Sequence, residues 1–215
     1  MGMNGVFITG SNTEVGKTTI SVEIIKYLRK KRKIVVRKPV ETNCEVVNGS
    51  YVPKDAVKLN EACLSGEALT LVCPFCYQLE ASPEMASLHD GKSLELTDLV
   101  QACKSGVNKK FVFVEGAGGL YSPIANNSLN SDLAAELRLP IIIIVKDEIG
   151  AISQALLTIN AAKSKKLKIA CVVMNEISPN HLSNADALRE YTETPVIEYS
   201  ISRAKVFCSE VECLI

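Results

Sequence analysis

Between a short apolar run and a stretch of helical periodicity the chain reads Gly10-Ser-Asn-Thr-Glu-Val-Gly16-Lys17-Thr18. Nothing else in the sequence constrains the fold as far. A glycine-containing loop that leaves a strand and opens a helix turns backbone N–H groups and the positive end of the helix dipole toward an anion. Lys17 supplies charge for β- and γ-phosphates, the Thr18 hydroxyl can ligate Mg²⁺, and Gly16 lets the backbone come close. The spacing departs from the usual phosphate loop: five residues separate the two glycines, and Ser11 stands where the first glycine is expected. A chance Gly-Lys-Thr is the alternative. The strand before, the helix after and Glu14 inside the loop argue against it.

The rest of the chain repeats this alternation. Strands are expected at Val6–Thr9, Ile34–Arg37, Phe111–Val114, Ile141–Val145, Ile169–Met174 and, more briefly, Val196–Glu198. Helices are expected over Thr18–Arg32, with Ile20, Ile24, Ile25 and Leu28 on one face, and over Ala151–Ser164. Pro39 stops the second strand, and a Gly116–Gly119 turn bounds the third. Strands separated by helix-length segments imply βαβ units. The fold class is therefore α/β, a single P-loop NTPase-like domain over 1–215 with a mostly parallel sheet and helices on both faces. Nearly continuous apolar strands fit a sheet covered on both sides. The stretch from Thr42 to Ser93 is the least regular and is expected to carry loops over the site.

Composition removes several function classes. The chain has 215 residues, 47% apolar and 22% charged, with 24 basic and 24 acidic side chains. No basic excess points to nucleic acid or to an anionic membrane. The run Arg29–Lys33 is expected to close the first helix, where the dipole favours cations. No run is long enough for a membrane span, and the opening residues lack the charged stretch and apolar run expected of a signal peptide. Eight cysteines read as small buried apolar residues of a reducing cytoplasm. Cys73 and Cys76 form a lone CxxC, without the second pair of ligands that zinc requires.

From Thr13-Glu-Val-Gly-Lys-Thr18 onward the sequence resembles the dethiobiotin synthetases, which carry that hexapeptide in their phosphate loop. Further matches follow in order: Lys38-Pro39-Val40, Asp55-Ala56, Ser82-Pro83, Glu115-Gly116-Ala117-Gly118-Gly119-Leu120 with Pro123 and Ile124, Gly150-Ala151-Ile152, and Asn175. The likeness spans about residues 4–200. It implies an ATP-dependent carboligase that turns 7,8-diaminopelargonate and carbon dioxide into dethiobiotin, through a carbamate and a carbamic–phosphoric anhydride. It also implies a cytoplasmic homodimer with shared sites and Mg²⁺ as cofactor.

Residue by residue, the resemblance implies nucleotide contacts from Asn12, Thr13, Glu14, Val15, Gly16, Lys17, Thr18, Thr19 and the purine-reading Asn175. Thr18, Asp55 and Glu115 are hard oxygen donors suited to Mg²⁺. Lys17 and Lys38 are the catalytic pair, stabilising charge on the phosphoryl group and the carbamate. Substrate contacts are implied for Lys38, Thr42, Ser82, Pro83, Gly118, Gly119, Gly150, Ala151, Ile152 and Ser153. The last four open a helix whose free N–H groups suit the substrate's carboxylate, reached from the neighbouring subunit. Plainer readings stay open. Lys38 could be an exposed strand end, Asp55 an ordinary N-cap, and Asn175 a turn cap. His89 and His181 lie in polar loops and receive no role.

Some positions depart from the family pattern. Glu84 stands where many relatives have His, and Glu176 where many have Asp. Ala187 falls near the place of a substrate-binding Tyr, with Tyr191 one turn later. The C-terminal stretch lacks Gly-Glu-Ile-Pro, which leaves the choice of base open. Two other functions compete. A partitioning-type ATPase would carry an extra lysine early in the loop, where Ser11 and Asn12 stand. A non-catalytic nucleotide-binding regulator would not need Lys17, Lys38, Asp55 and Glu115 together.

Overall fold

A computed structural model describes residues 2–215. The chain starts with β1 (Gly5–Gly10), α1 (Lys17–Leu28), β2 (Ile34–Arg37) and β3 (Val40–Glu41). A hairpin of β4 (Glu45–Val47) and β5 (Ser50–Val52) leads to α2 (Lys54–Cys63), α3 (Leu69–Val72), β6 (Phe75–Cys76), α4 (Pro83–His89) and α5 (Leu96–Lys104). Next come β7 (Phe111–Gly119), β8 (Pro123–Ala125), β9 (Ser128–Leu129) and α6 (Asn130–Leu137). The last part is β10 (Ile141–Lys146), α7 (Ala151–Ser164), β11 (Ile169–Asn175), α8 (Asn184–Arg189), β12 (Val196–Tyr199) and α9 (Ala204–Glu212).

Six strands form one sheet in the order β12-β11-β10-β1-β7-β2, and every pairing is parallel. Each expected strand is present. The sequence made them legible because a parallel strand buried on both faces needs apolar residues without alternation. Its two faces are covered by different helices. Phe7, Val112, Val114, Ile141, Ile143 and Met174 face α5, α6, α7 and α8. Val6, Ile8, Ile142, Ile144 and Val173 face α1, α2 and α9. On α1, Ile20, Ile24, Ile25 and Leu28 are fully buried, each worth about 1.5–3 kcal/mol against exposure. β1 lies in the middle, and the chain leaves it toward β2 on one side and returns to β10 on the other. That is a topological switch point, and its C-terminal crevice is where such sheets bind ligands.

Several placements differ from expectation. Helix α1 ends at Leu28, its last buried side chain, so the basic run follows the helix instead of closing it. The run is held from outside: Arg29 Nη1 donates to Ala62 O at 2.6 Å, Lys31 pairs with Glu212, and Arg32 lies 4.6 Å from the Phe111 ring centre. β7 continues through the glycines to Gly119, where it rejoins β1 as the pair Gly10↔Gly119 after a register shift. The segment 42–93 contains more order than expected, including α2 and an Asn48-Gly49 hairpin turn with both residues at positive φ. His89 ends α4 instead of lying in a loop. Of the cysteines, Cys213 is exposed and Cys76 half-buried; all eight are free thiols.

Candidate active site

Glu115 sits inside β7, 1% exposed, directly beneath the helix that the phosphate loop opens. A buried carboxylate must be fully paired. Its Oε1 accepts from Thr18 Oγ1 at 2.9 Å and from Lys38 Nζ at 3.0 Å, and its Oε2 accepts from Ser21 Oγ at 2.7 Å. Lys38 is 3% exposed, so it is no exposed strand end. Its ammonium also donates to Gly116 O at 2.9 Å and lies 3.9 Å from Asp55 Oδ2. Burial alone would pull Lys38 down. The carboxylates of Glu115, Asp55 and Glu41 outweigh it and hold the ammonium above its ordinary pKa.

Lys17 is treated differently by its surroundings. It is 8% exposed and donates to Asn12 O at 3.0 Å. Burial, and then the neighbouring Lys38 charge, bring its pKa down to about 8, against the weaker pull of Glu115 and Asp55. Lys17 is therefore an under-neutralised cation, which is what a phosphate loop needs. The sign for stability follows. The unfolded chain binds this proton more tightly, so the group destabilises the fold below about pH 8, and that cost is relieved as pH rises toward the unfolded value of 10.5.

The lysines open onto a cavity of about 640 Å³. Thr13, Glu14, Gly16, Lys17, Thr18 and Thr19 are part of its lining, and so are Lys38, Thr42, Asp55, Ser82, Pro83 and Gly118. Ser82 caps α4 and Pro83 is the first helical residue. Asp55 is in the first turn of α2, whose N-cap position is held by Pro53, so Asp55 is not itself the cap. Other named residues lie outside this lining. Val15 points into the core at 3% exposed. Gly119 faces the phosphate loop, where a Cβ would come within 3.1 Å of Ser11 O; it allows that loop, not a ligand, to pack close. Gly150, Ala151, Ile152 and Ser153 open α7 as expected, with Gly150 at φ 89°, but none lines this cavity, and Ala151 is buried. Tyr191 is 68% exposed past α8 and lies outside the lining too.

Asn175 ends β11, and its Nδ2 donates to Val15 O at 2.8 Å. It is a brace under the phosphate loop, not a turn cap. Gly16, at φ 88°, makes room for it: a Cβ there would sit 2.2 Å from that Nδ2. Several site residues escaped sequence reading. Ser21 completes the Glu115 network. Glu41, which lines the cavity, accepts from the backbone N–H of Asp55 and Ala56. Gln154 on α7 accepts from Ser11 Oγ at 3.1 Å. Asn130 is fully buried and ties Ala117, Gly119 and Ser122 together through their backbones. Ser21 lies one helical turn after Lys17, a spacing that could have exposed it; Glu41, Gln154 and Asn130 carry no such local signal, and Gln154 meets Ser11 across 143 residues. Glu84, at the departed position, accepts from Asn127 N at 2.7 Å and joins α4 to the β8–β9 turn.

The donor set fits a hard divalent cation. Thr18 gives its proton to a carboxylate, which leaves its oxygen lone pairs for a metal, and Asp55 presents a 38% exposed carboxylate above it. Among the described residues no group of three His, Cys, Asp or Glu side chains forms a closed metal cage. Mg²⁺ at nucleotide sites needs none, because phosphates and water complete its shell.

A family model described as an AAA domain matches residues 4–201. A relative from Vesicomyosocius okutanii subsp. Calyptogena okutanii (strain HA), called ATP-dependent dethiobiotin synthetase BioD, is 45% identical over 210 residues, 98% of this chain and 96% of its own. One of the same name from Ruthia magnifica subsp. Calyptogena magnifica is 46% identical over 194 residues, 90% of each. Among solved structures, the signal recognition particle receptor FtsY from Elizabethkingia anophelis superposes with a TM-score of 0.53 at 13% identity, over 97% of this chain and 65% of the receptor. That likeness concerns the fold alone.

Proposed function

The chain belongs to the ATP-dependent dethiobiotin synthetase family, and from that premise we infer that it closes the ureido ring of dethiobiotin from 7,8-diaminopelargonate, carbon dioxide and ATP. One amine adds to carbon dioxide and loses a proton to give a carbamate. A carbamate oxygen then attacks the γ-phosphorus and ADP leaves, giving a carbamic–phosphoric anhydride. The second amine attacks the carbonyl carbon, closes the ring and expels phosphate.

The observation that carries this reading is the second buried lysine. A simple nucleotide hydrolase needs the loop cation Lys17. Lys38 lies near enough to depress Lys17 and is fixed by Glu115 and Gly116 O. A second anion beside the γ-phosphate, the carbamate, gives that ammonium a purpose. In this reading Thr42 donates to the carbamate, and Ser82, Pro83 and Gly118 form the diamine wall. Asn12 to Thr19 hold the phosphates, and Asn175 keeps their loop in shape beside the base. Thr18, Asp55 and Glu115 hold Mg²⁺, which when bound neutralises charge on the transferring group. Activity of the purified chain should therefore be strictly coupled: phosphate release from ATP should require diamine and bicarbonate together. Release with either omitted, at a comparable rate, would make it an ordinary ATPase.

The reading extends to a cytoplasmic homodimer, with residues 1–215 acting as one unit. Eight free thiols support a reducing compartment. No helix among the described residues is long and apolar enough to cross a membrane. Ile149, just before α7, is 88% exposed and Leu157, midway along it, 68% exposed, apolar surface that a second copy would cover. The partner's α7 N-terminus would then hold the substrate carboxylate with its free N–H groups. Subunit mixing measures this. Lys17→Ala and Gly150→Glu homodimers should both be inactive, and each mixed dimer should regain one intact site, about half the wild-type rate. Heterodimers that form and stay dead count against shared sites.

A further inference from the structure

Helix α2 carries Asp55 to the cavity, yet its own sequence gives it no cap. Pro53 holds the N-cap position, and no nearby side chain takes the first-turn N–H groups. Lys54, the next residue, puts a cation at the positive end of the dipole, the unfavourable sign. Such N–H groups need an acceptor when shielded from water. Glu41 supplies it from the end of β3. Its Oε1 accepts from Asp55 N and its Oε2 from Ala56 N, both at 2.9 Å. The side chain is 7% exposed. The backbone behind it is fixed as well, since β3 pairs with β6 and Glu41 O accepts from Tyr77 N at 3.0 Å. Bonds from two backbone N–H groups to one carboxylate are charge-assisted and set both position and direction.

We propose that Glu41 is a positioning residue for the divalent cation: by capping α2 across a gap in sequence, it fixes where the Asp55 carboxylate stands. This rests on the reading of Asp55 as a metal ligand. One of the two N–H groups that Glu41 takes is Asp55's own, so the bond holds the backbone of the ligand residue itself. Little else does. The Asp55 side chain is 38% exposed, and its nearest charged partner, Lys38, is 3.9 Å away. Burial raises the Glu41 pKa, while Lys38 and the two N–H groups oppose it.

Three full-length variants test this: Glu41→Gln, Glu41→Gln with Pro53→Ser, and Asp55→Asn. Mn²⁺ serves as the probe, its free signal followed by electron paramagnetic resonance with a non-hydrolysable ATP analogue bound. Amide exchange over residues 53–58 gives a second reading without metal. Gln keeps the shape but faces one N–H with its own NH₂. It should weaken Mn²⁺ about tenfold, as loss of an outer-shell partner does, and speed exchange at Asp55 and Ala56. Serine at residue 53 is a good N-cap and should restore both within the double variant. If Glu41→Gln binds Mn²⁺ like the wild type while Asp55→Asn does not, the proposal is overturned. If Glu41→Gln is weak and serine restores nothing, the capping account is overturned. If Asp55→Asn itself binds normally, the metal-ligand reading fails, and the proposal with it.

Discussion

Glu115→Gln should cut dethiobiotin formation by about a thousandfold, the scale of losing one preorganised electrostatic group. It should also lower thermal stability. The carboxylate is the shared acceptor of Thr18, Ser21 and Lys38. A glutamine has one acceptor oxygen where three donors converge, and it leaves the Lys38 ammonium buried without its main counter-charge. Breaking a buried pair on one side costs about 3–5 kcal/mol, which for a chain of this size is a drop in Tm of about 6–20 °C. Product formation by quench-flow and melting by circular dichroism give the two numbers. Near-normal turnover, with or without a lowered Tm, would remove Glu115 from the site.

Lys38→Met should lower kcat about 10²–10³-fold while the affinity for ATP changes by about threefold or less. The asymmetry follows from placement. Lys17 lies in the phosphate loop, whereas Lys38 comes from the end of β2 and is anchored to Glu115 and Gly116 O. On the proposed reading its help comes chiefly when charge moves between carbamate and phosphate, so its loss is expected in kcat. Rapid-mix kinetics with nucleotide titration separates the two effects. Equal losses in kcat and in nucleotide binding would make Lys38 a phosphate clamp and nothing more.

What could be read from the chain and what could not divide along a physical line. Ile141–Val145 announced a strand because both faces of that strand are buried, and the phosphate loop was legible because its function needs contiguous backbone. Lys38, Asp55 and Glu115 were reachable by resemblance, but their mutual bonds were not: Glu115 meets Thr18 only after β7 has paired with β1. Glu41 left no local trace at all. A cap normally sits next to its helix, and this one lies before an intervening hairpin. From sequence Asn175 fits a base-reading residue or a turn cap, whereas its donation to Val15 O depends on Gly16, which leaves the gap it fills. The C-terminal end of α1 is not legible in the sequence because Arg29–Lys33 continues a helix-compatible composition, while the buried stripe stops at Leu28.

The central place of β1 carries a cost during synthesis. This strand leaves the ribosome before the other five of its sheet, yet its pairing partners are Val112–Glu115 on one side and Ile141–Ile144 on the other. Until both have emerged, Val6, Phe7 and Ile8 are an apolar segment with two unpaired edges, the kind of template that recruits the wrong neighbour. The nucleotide-binding loop that follows cannot take its shape before then either, because Asn175 emerges later still. A nascent chain of this fold is therefore most exposed to aggregation over its first two-thirds, and parallel pairing between such distant segments makes its folding slow.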